Sequence, residues 1–250
     1  MHSTPAVFHP QPSKVARTCR TALGRLLIAA LLAFASTASA QDVEVELVLL
    51  ADASGSITPS EIAFQRQGYA AAITDPRVLN VIEQSAYGKI AVTYVEWAAH
   101  TAVVADWAVI DGPASAAAFA DALLAPPRQA VGRNAIGQAL LDGKRLIERN
   151  DYEGWRKVID FSGDSANNFS GPSISEAREE VLAAGIIINA LAISTAERPG
   201  TPVAYRDRII GGPGAFVVEA EGRADFADAV RRKLILEIGG TAPPTRHAAR

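Results

Sequence analysis

Cysteine is almost absent from this sequence: one occurs in 250 residues, and that residue, Cys19, lies among the first forty. The rest of the chain therefore has neither a disulfide framework nor a thiolate metal site. A domain of this kind has to be stabilised by its hydrophobic core or by a metal ion bound through oxygen or nitrogen. With 49% apolar residues, the sequence can build a substantial core.

Acidic residues are missing from the first forty positions, which carry four basic ones. A short apolar stretch, LLIAALLAFASTASA, follows the basic part and ends in an A-x-A site directly before Gln41. The stretch is interrupted by serine and threonine and is shorter than the roughly 20 residues of a membrane-spanning helix. These features predict a signal peptide at residues 1–40, with cleavage after Ala40 and a periplasmic or secreted location.

An excess of basic residues is also lacking. Without residues 1–40, 20 basic residues stand against 27 acidic ones, which argues against a nucleic-acid or anionic-lipid partner. Neither G-x-G-x-x-G nor the phosphate-loop pattern with its lysine follows the first strand segment, so the sequence does not indicate a nucleotide site. The segment GGPGAF, residues 211–216, is interpreted as a turn into the last strand.

Strand-like and helix-like segments alternate from Val43 onward. Unbroken apolar runs such as VELVLLAD and IIINALAI predict strands buried on both faces, and capping boxes starting at Thr58 and Ser173 predict two helix starts. KIAVTYVEWAA and TAVVADWAVID predict a hairpin whose second strand is antiparallel at an edge. We therefore expect one α/β domain over residues 41–239, with a mostly parallel central sheet, one antiparallel edge strand and helices on both faces. The segment 240–250 has no apolar period and is expected to be a disordered tail.

Oxygen-bearing side chains gather where the predicted strands end. Asp52, Ser54 and Ser56 follow the first strand, Asn134 lies in VGRNAIGQAL, and Asp164 lies in FSGDSANN. In an open parallel sheet, ligands bind outside the carboxyl ends of the strands, so these side chains are expected to meet. Carboxylate, hydroxyl and amide oxygens, without sulfur or imidazole, suit a hard divalent cation such as Mg²⁺. The sequence therefore predicts a metal site formed by these five residues.

The segment DASGS resembles the D-x-S-x-S signature of the metal-ion-dependent adhesion site (MIDAS) of von Willebrand factor A (VWA) domains, which have a Rossmann-like fold. Segments along almost the whole chain after residue 40 are similar to a bacterial VWA-like family of domains of unknown function, type 1194: LLADASGS, QRQGYAAAI, IAVTYVEWA, VIDFSGDSANN, GGPGAFV and FADAVRRKLILEI. The resemblance itself does not supply an activity. We expect a domain without chemistry of its own that binds Mg²⁺, Mn²⁺ or Ca²⁺ and uses the ion for reversible binding to a protein partner, which the sequence does not identify. Because the site has only two carboxylates, an acidic residue of that partner can complete the metal shell.

The resemblance further implies a role for each of the five residues. Ser54 and Ser56 would ligate the metal directly, and Asp52 and Asp164 would hold it directly or through waters. The threonine of the family motif T-x-x-G-x-A-L falls on Asn134 of NAIGQAL, which is a departure from the pattern. The amide oxygen of Asn134 is a neutral donor like a hydroxyl, but it lies one atom further from the backbone.

Two other functions remain open at the level of the sequence. SGDSANN matches the motif of GDS-type esterases, with Ser165 as the nucleophile, and such an enzyme needs a base within hydrogen-bond reach. After residue 40 only His100 and His247 are available for that role. The other function is a structural interaction domain whose metal site has lapsed. The sequence also leaves open whether Glu96, beside Trp97, faces solvent or supports the metal site.

Overall fold

The structure, a computed structural model, describes residues 1–2 and 40–240, apart from the side chains of residues 223 and 224. The predicted signal peptide and the predicted tail lie outside the described residues, except for positions 1, 2, 40 and 240. Within the described part of the chain, no helix combines the length and apolar character needed to cross a membrane.

Residues 41–239 alternate between strands and helices, as the sequence predicts. The strands are β1 (Gln41–Asp52), β2 (Ile90–Trp97), β3 (Thr101–Ile110), β4 (Tyr152–Gly163), β5 (Ile187–Ser194) and β6 (Val217–Glu221). The described helices are α1 (Pro59–Ile73), α2 (Pro76–Glu83), α3 (Pro113–Leu124), α4 (Ile136–Glu148), α5 (Ile174–Ala183), α6 (Thr201–Arg208) and α7 (Arg223–Gly239).

The six strands form one sheet in the order β3-β2-β1-β4-β5-β6. All neighbouring pairs are parallel except β2 and β3, which form the antiparallel pair at one edge. The predicted mixed sheet with an antiparallel edge strand is therefore confirmed. Because β1 lies between β2 and β4, the loops that follow these three strands emerge side by side at one edge of the sheet.

Alternate residues of β1 divide between two hydrophobic clusters, one on each face of the sheet. Leu47 and Leu49 pack with residues of α1, α2, α3 and α7, whereas Val48 and Leu50 pack with residues of α4, α5 and α6. Both faces of the strand are thus buried, which explains the uninterrupted apolar run at residues 47–51. The prediction of helices on both faces is confirmed.

Local sequence signals explain where several helices begin. Thr58 and Glu61 form the predicted capping box at the start of α1, and Ser173 and Glu176 form the second one at the start of α5. Two short helices, α2 and α6, were not among the predicted elements. Each has only eight residues, which is shorter than the stretch over which a helical apolar period can be recognised in a sequence.

Candidate metal site

The loop after β1 places three of the predicted residues in one tight turn. Asp52 is the last residue of the strand, and its Oδ1 accepts a hydrogen bond of 2.8 Å from the backbone N–H of Ser54. The hydroxyls of Ser54 and Ser56 lie 3.3 Å apart. Asp52 and Ser54 are fully buried, whereas Ser56 is exposed. The turn therefore presents a row of oxygen atoms that runs from the interior to the surface.

Asp164 joins this row from the neighbouring strand, because β4 runs parallel to β1 and ends at the same edge. It directly follows β4, and its Oδ1 accepts a hydrogen bond of 3.2 Å from the hydroxyl of Ser56. The structure thus brings together four of the five residues proposed from the sequence, although they are up to 112 positions apart.

One carboxylate oxygen of this group has no partner within the described residues. Asp52 Oδ2 is buried and makes no hydrogen bond, and a Cβ added at Gly163 would come within 2.8 Å of it. The pKa of Asp52 is raised to about 7, because burial, reinforced by the charge of Asp164, outweighs the hydrogen bonds that lower it. A buried carboxylate without a partner is costly, and a nearby cation removes that cost. The four residues therefore fit a divalent cation.

The donor set itself narrows the choice of ion. No group of three or more His, Cys, Asp or Glu residues with the arrangement of a metal site occurs in the described part of the chain. The four-residue site has two carboxylates and two hydroxyls instead. Such a set suits a hard cation that takes its remaining oxygens from water or from a partner.

Asn134, the fifth predicted residue, lies near the same edge without joining the hydrogen bonds of the other four. It is buried, and its backbone carbonyl accepts a hydrogen bond of 2.8 Å from the N–H of Phe169. Among the described residues, its side chain makes no hydrogen bond to the four-residue site. The helix that follows begins at Ile136, with Ala135 as its N-cap, two residues after Asn134.

Arg198, which no motif of the sequence indicates, also contacts the site. It lies in the loop between β5 and α6, and its Nη1 is 2.7 Å from Oδ2 of Asp164. The side chain of Arg198 is 44% exposed and that of Asp164 only 11%. Since β5 is the parallel neighbour of β4, its following loop reaches the same edge, and a search of the TAERPG segment for charged residues would have found Arg198.

The segment 126–130 supports the turn that follows Asp52. Arg128 donates hydrogen bonds to the backbone carbonyls of Ser54, at 2.8 Å, and Ile57, at 3.1 Å, and it also contacts that of Ala53. The segment itself is held by Glu96, whose Oε2 accepts the backbone N–H groups of residues 129 and 130. Glu96 is therefore buried and positions a supporting loop, which answers the question that the sequence left open.

The short helix α6 supports the other half of the site. The hydroxyl of Thr201 donates to the backbone carbonyl of Asp164 at 3.2 Å, and that of Tyr205 donates to the carbonyl of Ser165 at 3.3 Å. Burial, followed by the charges of Asp52 and Asp164, raises the pKa of Tyr205, so the phenol stays neutral and can donate. A helix absent from the sequence prediction thus positions one of the predicted carboxylates.

A cavity of about 310 Å³ adjoins the site. Ser56 and Asp164 belong to both, and Arg198 also lines the cavity. Its apolar lining comes from Ile57, Phe64, Ile193 and Phe226, and its charged lining also includes Glu61 and Glu197. A molecule that reaches the oxygens of the site from this side would therefore also contact an apolar surface.

The residues of the esterase alternative are not assembled in the described part of the chain. The hydroxyl of Ser165 accepts a hydrogen bond of 3.1 Å from the backbone N–H of Asn167. His100 is exposed in the turn between β2 and β3, and His247 lies outside the described residues. No histidine described by the structure makes a hydrogen bond to Ser165.

The fold and the D-x-S-x-S turn define a VWA-like domain, and solved structures of that class resemble this chain. The von Willebrand factor type A protein from Catenulispora acidiphila matches with a TM-score of 0.57 and 15% identity over 79% of this chain and 43% of its own. Proximal thread matrix protein 1 from the mussel byssus matches with a TM-score of 0.53 and 14% identity over 79% and 47% of the two chains. The vWF domain of the type V pili tip protein Mfa5 from Porphyromonas gingivalis matches with a TM-score of 0.54 and 9% identity over 82% and 98%. At these identities the likeness shows the fold, and the chain spans about half the length of the first two matches.

The sequence assigns the chain to a more specific family than the fold does. It belongs to the family described as "Protein of unknown function (DUF1194)", whose model matches residues 42–242. This confirms the resemblance noted from the sequence segments. Among curated proteins, no sequence matches this chain.

Proposed function

We propose that this chain is an exported VWA-like domain that holds a divalent cation at the four-residue site and binds a protein partner reversibly through it. The observation that carries the proposal is Asp52 Oδ2, a buried carboxylate oxygen without a hydrogen-bond partner among the described residues. Asp164, Ser54 and Ser56 surround the same turn with further oxygens. A cation is the group whose binding would compensate for the burial of the Asp52 charge.

The residues that would hold the ion are Asp52, Ser54, Ser56 and Asp164, with Asn134 as an additional donor or as the holder of a water. Their two carboxylates offset a double positive charge without exceeding it. When bound, Mg²⁺, Mn²⁺ or Ca²⁺ supplies coordination positions that an acidic side chain of a partner can fill. The residues of the chain position the ion, and Arg128, Thr201 and Tyr205 keep the two loops of the site in place.

The surroundings of the site support a protein partner. The lining of the cavity beside Asp164 includes four apolar side chains, so a partner residue next to the acidic group can bury its own apolar side chain against them. The vWF domain of Mfa5 is part of a pilus tip protein. We propose a comparable binding role outside the cytoplasm for this chain, in the periplasm or after secretion.

The metal part of the proposal is tested by titrating Mg²⁺ and Mn²⁺ calorimetrically into the protein without residues 1–40. Asp52→Ala should abolish binding, because it removes a charge that offsets the ion. Asp42→Ala is the matched control: it removes the same charge from an exposed position at the other end of β1 and should bind like the parent. A parent protein that binds neither ion at millimolar concentration would contradict the proposal.

Export is tested separately by the intact mass of the protein from the cell envelope or the culture medium. The chain should begin at Gln41. A mature protein that retains residues 1–40 would show that this part of the proposal is wrong.

We also propose that the domain carries out no chemistry, since a serine nucleophile needs a base within hydrogen-bond reach and no histidine among the described residues makes a hydrogen bond to Ser165. The purified protein should not hydrolyse generic esters such as p-nitrophenyl acetate above the rate of Ser165→Ala. Hydrolysis that resists chelator and disappears in Ser165→Ala would instead identify an esterase.

A further inference from the structure

Arg198 occupies one oxygen of a carboxylate that the metal would also use. Its guanidinium lies 2.7 Å from Oδ2 of Asp164, while Oδ1 of the same carboxylate accepts the hydroxyl of Ser56. Both oxygens of Asp164 thus have partners, in contrast to the unpartnered Oδ2 of Asp52. The carboxylate of Asp164 therefore already has a counter-ion within the chain, the guanidinium of Arg198.

We infer that Arg198 is a tethered counter-ion that competes with the divalent cation for Asp164. In the absence of metal the guanidinium neutralises this carboxylate, and binding of the ion displaces it. This inference rests on the proposed metal site and adds a regulating residue to it.

The loop of Arg198 allows the side chain to move while its backbone stays in place. The backbone N–H of Arg198 donates to the carbonyl of Thr195 at 3.0 Å, and its own carbonyl, 3.0 Å from the hydroxyl of Thr201, shares that proton with the carbonyl of Asp164. The side chain, in contrast, is almost half exposed and lines the open cavity. Water can therefore solvate the guanidinium when it leaves Asp164, without unfolding of the loop or of α6.

A divalent ion would displace the Arg198 guanidinium from Asp164 because of its higher charge. The guanidinium has a single charge spread over its nitrogens and forms an ion pair with Asp164 in the described structure. A doubly charged ion in the same turn would be attracted by Asp52 and Asp164 together. Arg198 does not serve as a hydrogen-bond partner for Asp52, whose Oδ2 has no partner in the described structure. A monovalent ion has only the charge that Arg198 already supplies, so competition by Arg198 should favour divalent over monovalent cations.

The test compares three substitutions by calorimetric titration of Mn²⁺. Arg198→Gln removes the charge but keeps a polar side chain, and Arg198→Lys keeps the charge. Arg206→Gln removes the same charge from an exposed position of α6. We expect Arg198→Gln to bind Mn²⁺ about fivefold more tightly than the parent, the change that corresponds to a half-exposed ion pair. Arg198→Lys should bind close to the parent, and Arg206→Gln like the parent.

A second measurement uses the metal-free proteins. In chelator, Arg198→Gln should melt at a lower temperature than Arg206→Gln, because Asp164 has lost its counter-ion, and Mn²⁺ should raise its melting temperature by more. Circular dichroism of each variant shows whether it is folded.

The outcomes separate this inference from the proposed function. If the parent binds Mn²⁺ and Arg198→Gln binds equally or more weakly, Arg198 is not a competitor and only the inference fails. If the parent does not bind but Arg198→Gln does, Arg198 blocks the site; the inference stands and the natural domain works without metal. If neither binds, both are wrong.

Discussion

Arg66 on α1 and Glu96 on β2 form a buried ion pair, with Nη2 of Arg66 2.6 Å from Oε1 of Glu96. Oε2 of Glu96 accepts the backbone N–H groups of Gln129, at 2.6 Å, and Ala130, at 3.2 Å. Arg66 in turn donates to the backbone carbonyl of Pro127 at 3.1 Å. This pair thus connects a helix, a strand and the segment that carries Arg128, and Arg128 holds the turn after Asp52.

The first prediction follows from this arrangement. Glu96→Ala should lower the free energy of unfolding by about 3 to 5 kcal/mol, because it leaves the Arg66 guanidinium buried without its counter-ion. Urea unfolding at neutral pH measures this change, and Glu83→Ala, at an exposed position of α2, is the control. A loss below about 1 kcal/mol, comparable to an exposed pair, would mean that the ion pair does not stabilise the fold as argued.

The second prediction concerns Asp52→Asn, which should change stability in opposite directions with and without metal. In chelator at pH 8, the variant should melt at or above the temperature of the parent, because it no longer buries a charge without a partner. In saturating Mg²⁺ the parent should gain about 2.7 kcal/mol at a hundredfold excess over its dissociation constant, and the variant nothing. Thermal melts in both conditions measure the two effects. A variant that is less stable than the parent in chelator would show that burial of the Asp52 charge does not destabilise the protein.

The third prediction concerns Asn134, the position that departs from the family motif. Its side chain makes no hydrogen bond to the four-residue site within the described structure, so Asn134→Ala should weaken Mg²⁺ binding only a few-fold. Asn134→Thr should preserve or tighten binding if the shorter hydroxyl fits the site. Calorimetric titration checks both variants. If the parent shows no binding and Asn134→Thr restores it, the natural site has lapsed, and the alternative of a structural interaction domain is correct.

A second buried charge cluster lies between α7 and the sheet. Nζ of Lys233 is 2.8 Å from Oδ1 of Asp160 and also contacts Oε1 of Glu237, which accepts a further hydrogen bond of 3.1 Å from Asn189. The pKa of Glu237 is raised to about 7, because burial and the charge of Asp160 together outweigh the effect of Lys233, which lowers it. One lysine cannot neutralise both carboxylates, so the cluster holds a proton near neutral pH.

This cluster yields the fourth prediction. Glu237 has an ordinary pKa of 4.5, and the folded value is about 7, so the folded protein binds a proton that the unfolded chain releases between these values. The free energy of unfolding contributed by this group should therefore be greatest below pH 4.5 and fall as the pH rises to about 7. Glu237→Gln keeps the acceptor oxygen for Lys233 and Asn189 without the charge, and should be more stable than the parent at pH 8 by on the order of 1 to 3 kcal/mol.

Urea unfolding of both proteins between pH 4 and pH 8 measures the effect. Glu221→Gln, at an exposed position at the end of β6, is the control and should follow the parent. The same slope with pH for the parent and Glu237→Gln would show that the proton resides elsewhere in the cluster.

The elements with strong local signals agree closely between prediction and structure. The apolar run of β1, the two capping boxes and the β2–β3 hairpin are encoded by neighbouring residues, which is why they could be read directly. The eight-residue helix α6 could not, because it is held mainly by contacts of Thr201 and Tyr205 with the loop after β4. Such contacts join residues about 40 positions apart and leave no periodic trace in the sequence.

The sequence alone determined the alternation of strands and helices, the parallel sheet with its antiparallel edge, and the residues at the carboxyl ends of β1 and β4, because these depend on periodicity, capping and strand order. Only the tertiary structure decided which of those residues meet. It placed Arg198 on Asp164, left Asp52 Oδ2 without a partner, and kept the Asn134 side chain out of the hydrogen bonds of the site. Contacts of this kind form between loops that are far apart along the chain and come together only when the sheet is assembled. Local sequence patterns such as periodicity and capping therefore do not predict them.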